Sequence, residues 1–415
     1  MPKIWTGLEP RIEYLRRLSV VFAVDLRIKI LTELYQREMS PKQFFAEHGG
    51  GSLSRVDKNF KKLEKHGWLR YLRSETGGSR RGARENFYRA TGLAFIDSET
   101  WALVPYSMRV AFSWRTFRLF AERVHAAFAA RTFTARAGSD FACETFALDQ
   151  AGWDRVIAAI DALFGALFEE QEDALLRIAH SGETPMAATV GLVGFESAQS
   201  SKGTHTEGAG PCLVPVQAEP LAPFMSRVSK VFADELCLKI VAEANRREIS
   251  APLFHAECGG ESLEGIRRRF KKAESAGWLK QVNQKTGGRR RSAVELFYRA
   301  TGPAVDDGGP WRTPPGSTAT SAEWNAFEEL TKEVIAAIAA GTLEARTDDH
   351  LSWSALRLDE QGWLKVTGEI ETARKLIRKE QEAAAARLAR SGEDPIVTTI
   401  ALAAFESPKE SKREP

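Results

Sequence analysis

The chain of 415 residues, 43% hydrophobic and 27% charged, is long enough for two to four domains that each bury a core. It holds no run of eighteen or more apolar residues, which argues against a membrane-spanning helix, and its opening Met1-Pro2-Lys3-Ile4-Trp5 lacks the apolar core of a secretory signal. The net charge of +3 is unevenly spread: residues 52–92 carry 11 Lys/Arg against 4 Asp/Glu and residues 262–302 carry 11 against 3, so the remainder is acidic and two basic patches stand out, as in a polyanion binder.

Helical spacing of Leu18, Val21, Phe22, Leu26, Ile30, Leu31 and Leu34 predicts a first helical run, with Asp25 as the cap of its second part. Ser40-Pro41-Lys42-Gln43 predicts a short second helix: Ser40 can cap, Pro41 suits the first helical position and Gln43 completes a capping box. That helix ends at Gly49-Gly50-Gly51. A third begins near Ser52 or Ser54, buries Val56, Phe60 and Leu63 at i, i+4 and i+7, and stops at Gly67. Two strand-like runs, Trp68 to Leu72 and Glu85 to Ala90, flank the glycine-rich basic segment Thr76 to Gly82, which reads as a hairpin loop.

A helix over Phe117 to Ala130 and a strand over Glu144 to Leu148 follow. Asp149 reads as the cap of a long helix ending at Ser181-Gly182, whose apolar stripe of Val156, Ile160, Leu163, Leu167 and Ile178 calls for a second long helix as partner. An apolar strand over Thr189 to Phe195 completes the set.

The whole pattern then returns at a constant offset of 210 residues. Phe60-Lys61-Lys62 becomes Phe270-Lys271-Lys272, Gly67-Trp68-Leu69 becomes Gly277-Trp278-Leu279, and Phe87-Tyr88-Arg89-Ala90-Thr91-Gly92 becomes Phe297-Tyr298-Arg299-Ala300-Thr301-Gly302. Gly152-Trp153 and Gly362-Trp363 keep the offset, as do Phe195-Glu196-Ser197 and Phe405-Glu406-Ser407. So long a period marks a tandem duplication of complete folding units, not a solenoid. Residues 198–223, rich in Ser, Gly, Pro and Thr, read as the linker, and Asp306 to Thr320 as a loose stretch inside the second repeat. The long-helix stripe recurs as Val366, Ile370, Ala373, Ile377 and Leu388, and we assign the two long helices to contact between the repeats.

Helix, short helix, turn, basic helix and basic hairpin is the order of a winged helix-turn-helix. The run from Ser52-Leu53 through Phe60-Lys61-Lys62-Leu63-Glu64, Gly67-Trp68-Leu69, Gly77-Gly78-Ser79-Arg80-Arg81 and Tyr88-Arg89-Ala90-Thr91 resembles the winged-helix regulators of the ArsR type, over about 80 residues of each repeat. The resemblance implies a winged-helix fold and transcriptional regulation through double-stranded DNA. The metal motif of that family's sensors does not carry over. Glu235-Leu236-Cys237 lies on the first helical run and has Asp25-Leu26-Arg27 as its counterpart, so no metal and no other cofactor is expected. Cys143, Cys212, Cys237 and Cys258 show no paired spacing and read as reduced thiols of a cytoplasmic, nucleoid-associated protein.

With Val56, Phe60 and Leu63 inward, the third helix shows Ser54, Arg55, Lys58, Asn59 and Lys62 to a major groove, Arg55 for guanine and Asn59 for adenine. Lys61 and Lys62 suit phosphates, and Arg80, Arg81 and Arg84 of the hairpin suit the backbone or minor groove. The second repeat keeps Lys271, Lys272, Arg289, Arg290 and Arg291 for such contacts. It replaces Ser54 by Glu264, Arg55 by Gly265, Lys58 by Arg268 and Asn59 by Arg269, so Arg268 and Arg269 would read different bases.

The expected fold is mainly α (α+β), with two winged helix-turn-helix modules, 1–95 and 224–305. Each is followed by a helical association half with short antiparallel strands, 96–198 and 306–415, and 199–223 links them. The expected function is an intrachain pseudo-dimer acting by repression on an asymmetric two-part operator, with no membrane partner and with further homodimerisation open. The alternatives are a protein-interaction scaffold, an RNA binder, or a regulator whose effector pocket is lined by Trp114, Phe146, Trp153 and Phe195. Thr76-Gly77-Gly78-Ser79-Arg80 lacks the Gly-Lys-Ser/Thr ending of a phosphate loop, and no Gly-x-Ser-x-Gly or His-Glu-x-x-His motif occurs, so no enzyme activity is expected.

Overall fold

The computed structural model describes residues 11–76, 84–92, 98–198, 212–215, 221–259, 261–286, 294–304, 321–346 and 348–408. The first repeat runs α1 (Arg11–Phe22), α2 (Asp25–Gln36), α3 (Pro41–His48), α4 (Leu53–Lys65), β1 (Leu69–Thr76), β2 (Arg84–Ala90), α5 (Ser98–Trp101), α6 (Tyr106–Ala129), β3 (Asp140–Leu148), α7 (Gln150–Ser181) and β4 (Met186–Glu196). After β5 (Cys212–Pro215) the second repeat follows with α8 (Leu221–Phe232), α9 (Glu235–Arg246), β6 (Ile249–Ser250), α10 (Ala251–Cys258), α11 (Leu263–Ser275), β7 (Leu279–Thr286), β8 (Val294–Ala304), α12 (Ala322–Ala340), β9 (His350–Leu358), α13 (Glu360–Ser391) and β10 (Ile396–Glu406). The protein is thus mixed α/β, mainly helical, with small antiparallel sheets. Among the described residues no helix is long and apolar enough to cross a membrane.

Local chemistry accounts for most helix starts. Ser40 accepts from Gln43 N while the Gln43 side chain accepts from Ser40 N, so the expected capping box forms with Pro41 at the first helical position. Ser52 caps α4 through Arg55 N. Asp25 does not cap: it is the first residue of α2, and Val24 precedes it without a side-chain bond. In the second repeat Asp234 does cap α9, accepting from Leu236 N and Cys237 N. The expected first helical run is two helices in each repeat, and Cys237 lies on the second of them. Residues 96–110, the counterpart of the loose stretch expected at 306–320, contain α5 and the start of α6, and the linker holds β5, which pairs with β8. Residues 306–320 lie outside the described residues.

The chain divides into two compact units, residues 1–108 with 208–302 and residues 109–207 with 303–415. Each unit therefore takes one part of each repeat.

In the first unit the three-helix-and-hairpin arrangement occurs twice. Phe60 of α4 sits edge-on between Phe44 of α3 (5.9 Å between ring centres) and Tyr88 of β2 (5.6 Å), and Phe270 lies between Phe254 (6.2 Å, edge-on) and Tyr298 (5.3 Å, tilted). The shared Gly-Trp and Ala-Thr motifs have a common structural reason. Gly67 and Gly277 both turn the chain at φ +73°, a conformation that favours glycine. Trp68 and Trp278 then donate their indole N–H to Arg17 O (3.1 Å) and Arg227 O (3.3 Å), and the Thr91 and Thr301 hydroxyls close back on the glycine carbonyls. Helices α1 and α8 pack on each other, joining the two arrangements.

In the second unit the strands of the two repeats alternate in one antiparallel sheet of order β3-β10-β4-β9. Leu192 faces Leu402 in the central β4–β10 pair, and Ile396↔Leu148 mirrors Met186↔Leu358, so exchange of the repeats maps the sheet onto itself. Both faces are covered. A Cβ on Gly191 would strike the Phe120 ring of α6 (2.6 Å), whereas one on Gly194 would meet Ile160 of α7 (3.0 Å). Strands buried on both sides read as continuous apolar runs, as β4 and β10 do.

Helices α7 and α13 pack against each other, Gly152 near Ala384 and Gly362 near Ala174. Asp149 and Asp359 cap them through Gly152 N (2.8 Å) and Gly362 N (2.7 Å). The same carboxylates accept two bonds each from Arg387 and Arg177 of the opposite helix, at 2.6 and 2.8 Å in both cases. These arginines hold Asp149 and Asp359 down to about 2.

Candidate nucleic-acid interface

The site grows from α4 and α11. Each helix buries one apolar stripe, Val56, Phe60 and Leu63 in α4 and Ile266, Phe270 and Ala273 in α11, and this sends the intervening positions outward. Ser54, Arg55, Lys58, Lys61 and Lys62 are exposed on α4, and Arg268 and Lys271 on α11. Lys61 is held by Asp57 one turn back (2.7 Å), whose bond and charge raise its pKa. Positive potential collects at the C-terminal end of α4. Burial first, then Lys62 and Lys65, lower the pKa of His66, so His66 is neutral near pH 7.

Two of the expected base readers are occupied inside the protein. Asn59 is buried, accepts from Arg27 Nε of α2 (2.8 Å) and donates to Arg55 O (2.8 Å). Its side chain leans along α4 toward α2 rather than away from the stripe. Arg269 is clamped. Its Nε donates to Asp234 Oδ1 (3.0 Å), Nη2 donates to Glu261 Oε1 (2.8 Å), and Nη1 also reaches Glu261. Burial opposes ionisation of Asp234, yet Arg269 and Lys272 hold its carboxyl below the usual range. Lys272 lies 3.7 Å from Asp234, so its charge is partly spent as well.

Arg84 is exposed at the start of β2. The hairpin arginines Arg80, Arg81, Arg289, Arg290 and Arg291 lie outside the described residues.

The hairpins add cations that sequence reasoning passed over. Arg70 of β1 and Arg89 of β2 are register partners and both are exposed, and Lys280 and Arg299 are partners in the second hairpin. Like charges directly opposite across two strands oppose pairing, so this arrangement fits a surface that meets an anion. The signal was available: side chains alternate along a strand, so with Tyr88 packed on Phe60 the next residue, Arg89, points to the other face.

The aromatic set offered as an effector pocket is core. Trp114, Phe146, Trp153 and Phe195 are all buried. A separate shallow cleft of about 440 Å³ in the second unit is bordered by Gly138, Asp140, Thr367, Glu371 and Arg374. Cys237 is buried on α9, and burial foremost pushes its thiol up to about 12.

Comparison of the chain with protein-family models, with curated proteins and with solved structures found no match.

Proposed function

We propose that this chain is a double-stranded DNA-binding transcriptional regulator whose two winged helix-turn-helix modules are the paired three-helix-and-hairpin arrangements of the first unit. The observation that carries the reading is the twofold occurrence of one device. A short capped helix and a glycine turn lead into a helix with an aromatic inner stripe and a row of exposed cations, followed by a hairpin bearing opposed cations. Helices of this kind enter a major groove, and their cations neutralise phosphates. Arg55, Lys58 and Lys62 serve the first module, and Arg268 and Lys271 the second. The two recognition helices differ in outline and charge, so the operator has two unlike halves. One chain does the work of a regulator dimer, and repression follows from occupying promoter DNA.

Titration of duplex DNA with the purified chain at 50 to 200 mM salt tests this. Affinity falling by about two to five orders of magnitude across that range is expected for several phosphate contacts. A salt-independent affinity, or a preference for single-stranded or A-form RNA, would overturn it.

A further inference from the structure

We propose that positions 261, 264, 265 and 269 decide what the second recognition helix reads, and that they make it an acceptor where the first is a donor. The inference rests on the duplex-reading function above.

The two helix starts are built by a reciprocal exchange. In the first repeat the small residue is Gly51, and Arg55 one turn on rises over it; a Cβ on Gly51 would lie 3.4 Å from Arg55 Nη1. In the second repeat the small residue is Gly265, and Glu261 one turn back folds over it; a Cβ on Gly265 would lie 2.5 Å from Glu261 Oε2. The absence of a side chain at 265 therefore makes the space through which Glu261 reaches Arg269. Asn59, the counterpart of Arg269, makes no such reach because it is bonded to Arg27, and the counterpart of Arg27 is Cys237.

The charge at the two helix starts differs in consequence. The first shows the Arg55 guanidinium and the Ser54 hydroxyl, and the nearby Asp57 carboxylate is taken up by Lys61 (2.7 Å). The second shows no arginine at 265, and Arg269 is engaged by Glu261 and Asp234. Glu264 is exposed there (side chain 69% accessible), with Arg267 at 3.7 Å. An arginine at a helix start donates to guanine O6 and N7, whereas a carboxylate accepts from the cytosine amino group. The first half-site then carries guanine where the second, read in the same orientation, carries cytosine. Arg268 and Lys271 supply backbone affinity without changing that choice.

The test is competition binding on three duplexes: the selected operator, one with two first-type halves and one with two second-type halves. The wild-type chain is compared with a variant carrying Glu261→Gly, Glu264→Ser, Gly265→Arg and Arg269→Asn, the residues of the first helix, with folding checked by thermal melting. The variant is expected to prefer the duplex with two first-type halves by about tenfold or more over wild type. A second variant, Glu261→Gln, leaves the helix intact and loosens Arg269; it is expected to bind the operator more tightly and with a salt slope steeper by up to about 1. If wild type binds duplex DNA with unlike halves but both folded variants keep its preference and slope, the assignment of these four positions is overturned and the proposed function stands. If folded wild type shows no salt-dependent duplex binding, the proposed function falls and this inference with it. A four-residue variant that does not fold leaves the decision to Glu261→Gln, where an unchanged slope overturns the assignment.

Discussion

At the scale of single residues, the basic helix α4 separates side chains that hold the fold together from exposed cations to which the proposed function assigns DNA contact. Arg55 is exposed and its backbone carbonyl serves Asn59, so its guanidinium can read a base without loosening the fold. Arg55→Ala is expected to weaken operator binding by about tenfold or more and to relax selection at one base position. Lys62→Ala is expected to weaken all duplexes alike and to lower the salt slope by about 1, and anisotropy titrations with cognate and scrambled duplexes separate the two effects. Asn59 belongs to the other class. Asn59→Ala leaves Nε of the half-buried Arg27 without its acceptor, while Nη1 keeps Val20 O, at a cost of about 1–3 kcal/mol in urea unfolding. Loss of base selection at unchanged stability would return Asn59 to the readers.

The outward face of α4 was legible in the sequence because three buried positions define a stripe. Asn59 and Arg269 were not, because the residue next to Phe60 or Phe270 lies on the flank of the helix. Its fate there depends on α2 or α9, and a partner 32 or 35 residues away leaves no mark in the local pattern.

At the scale of elements, starts were legible where one side chain decides them. Ser40 with Gln43 and Asp149 cap as read, and Ser52, one of two candidate starts, caps α4, because cap chemistry lies within three residues. Ends and lengths were less so. Strands β3 and β9 extend several residues before the apolar segment that signals them, since their pairing comes from β10 and β4, and α6 begins in a segment whose counterpart, 306–320, carries no helical pattern.

The caps of α7 and α13 carry a pH consequence. Their folded pKa values lie near 2, below the unfolded value near 4, so the stability they contribute is present above about pH 4 and is lost as pH falls toward 2. Thermal melting between pH 5 and 2 should show that loss, and the double variant Asp149→Asn, Asp359→Asn should flatten it. An unchanged slope would mean the pairs with Arg387 and Arg177 contribute nothing. Asp149→Ala removes the cap outright and is expected to cost about 1–2 kcal/mol.

At the scale of the whole molecule, the duplication was legible from the 210-residue offset, and contact between the long helices follows from their stripes. The alternation of strands was not, since nothing local in β4 states that both its neighbours come from the other repeat. That alternation has a consequence for half the chain. Residues 1–198 alone keep β3 and β4 but lose β9 and β10, and the Leu192–Leu402 pairing can be replaced by Leu192 with its own copy. A symmetric dimer of this fragment is therefore expected by light scattering, and a folded monomer would contradict the exchange symmetry of the sheet.

In the proposed function, one chain presents two unlike reading heads to one duplex. In-vitro selection from random duplex DNA, with the stoichiometry of the selected complex measured by native mass spectrometry, tests it most directly. A two-part motif with unlike halves at fixed spacing, bound by a single chain, is the expected result. A strict palindrome bound by two chains, or no enrichment by the folded protein at any salt, would contradict it.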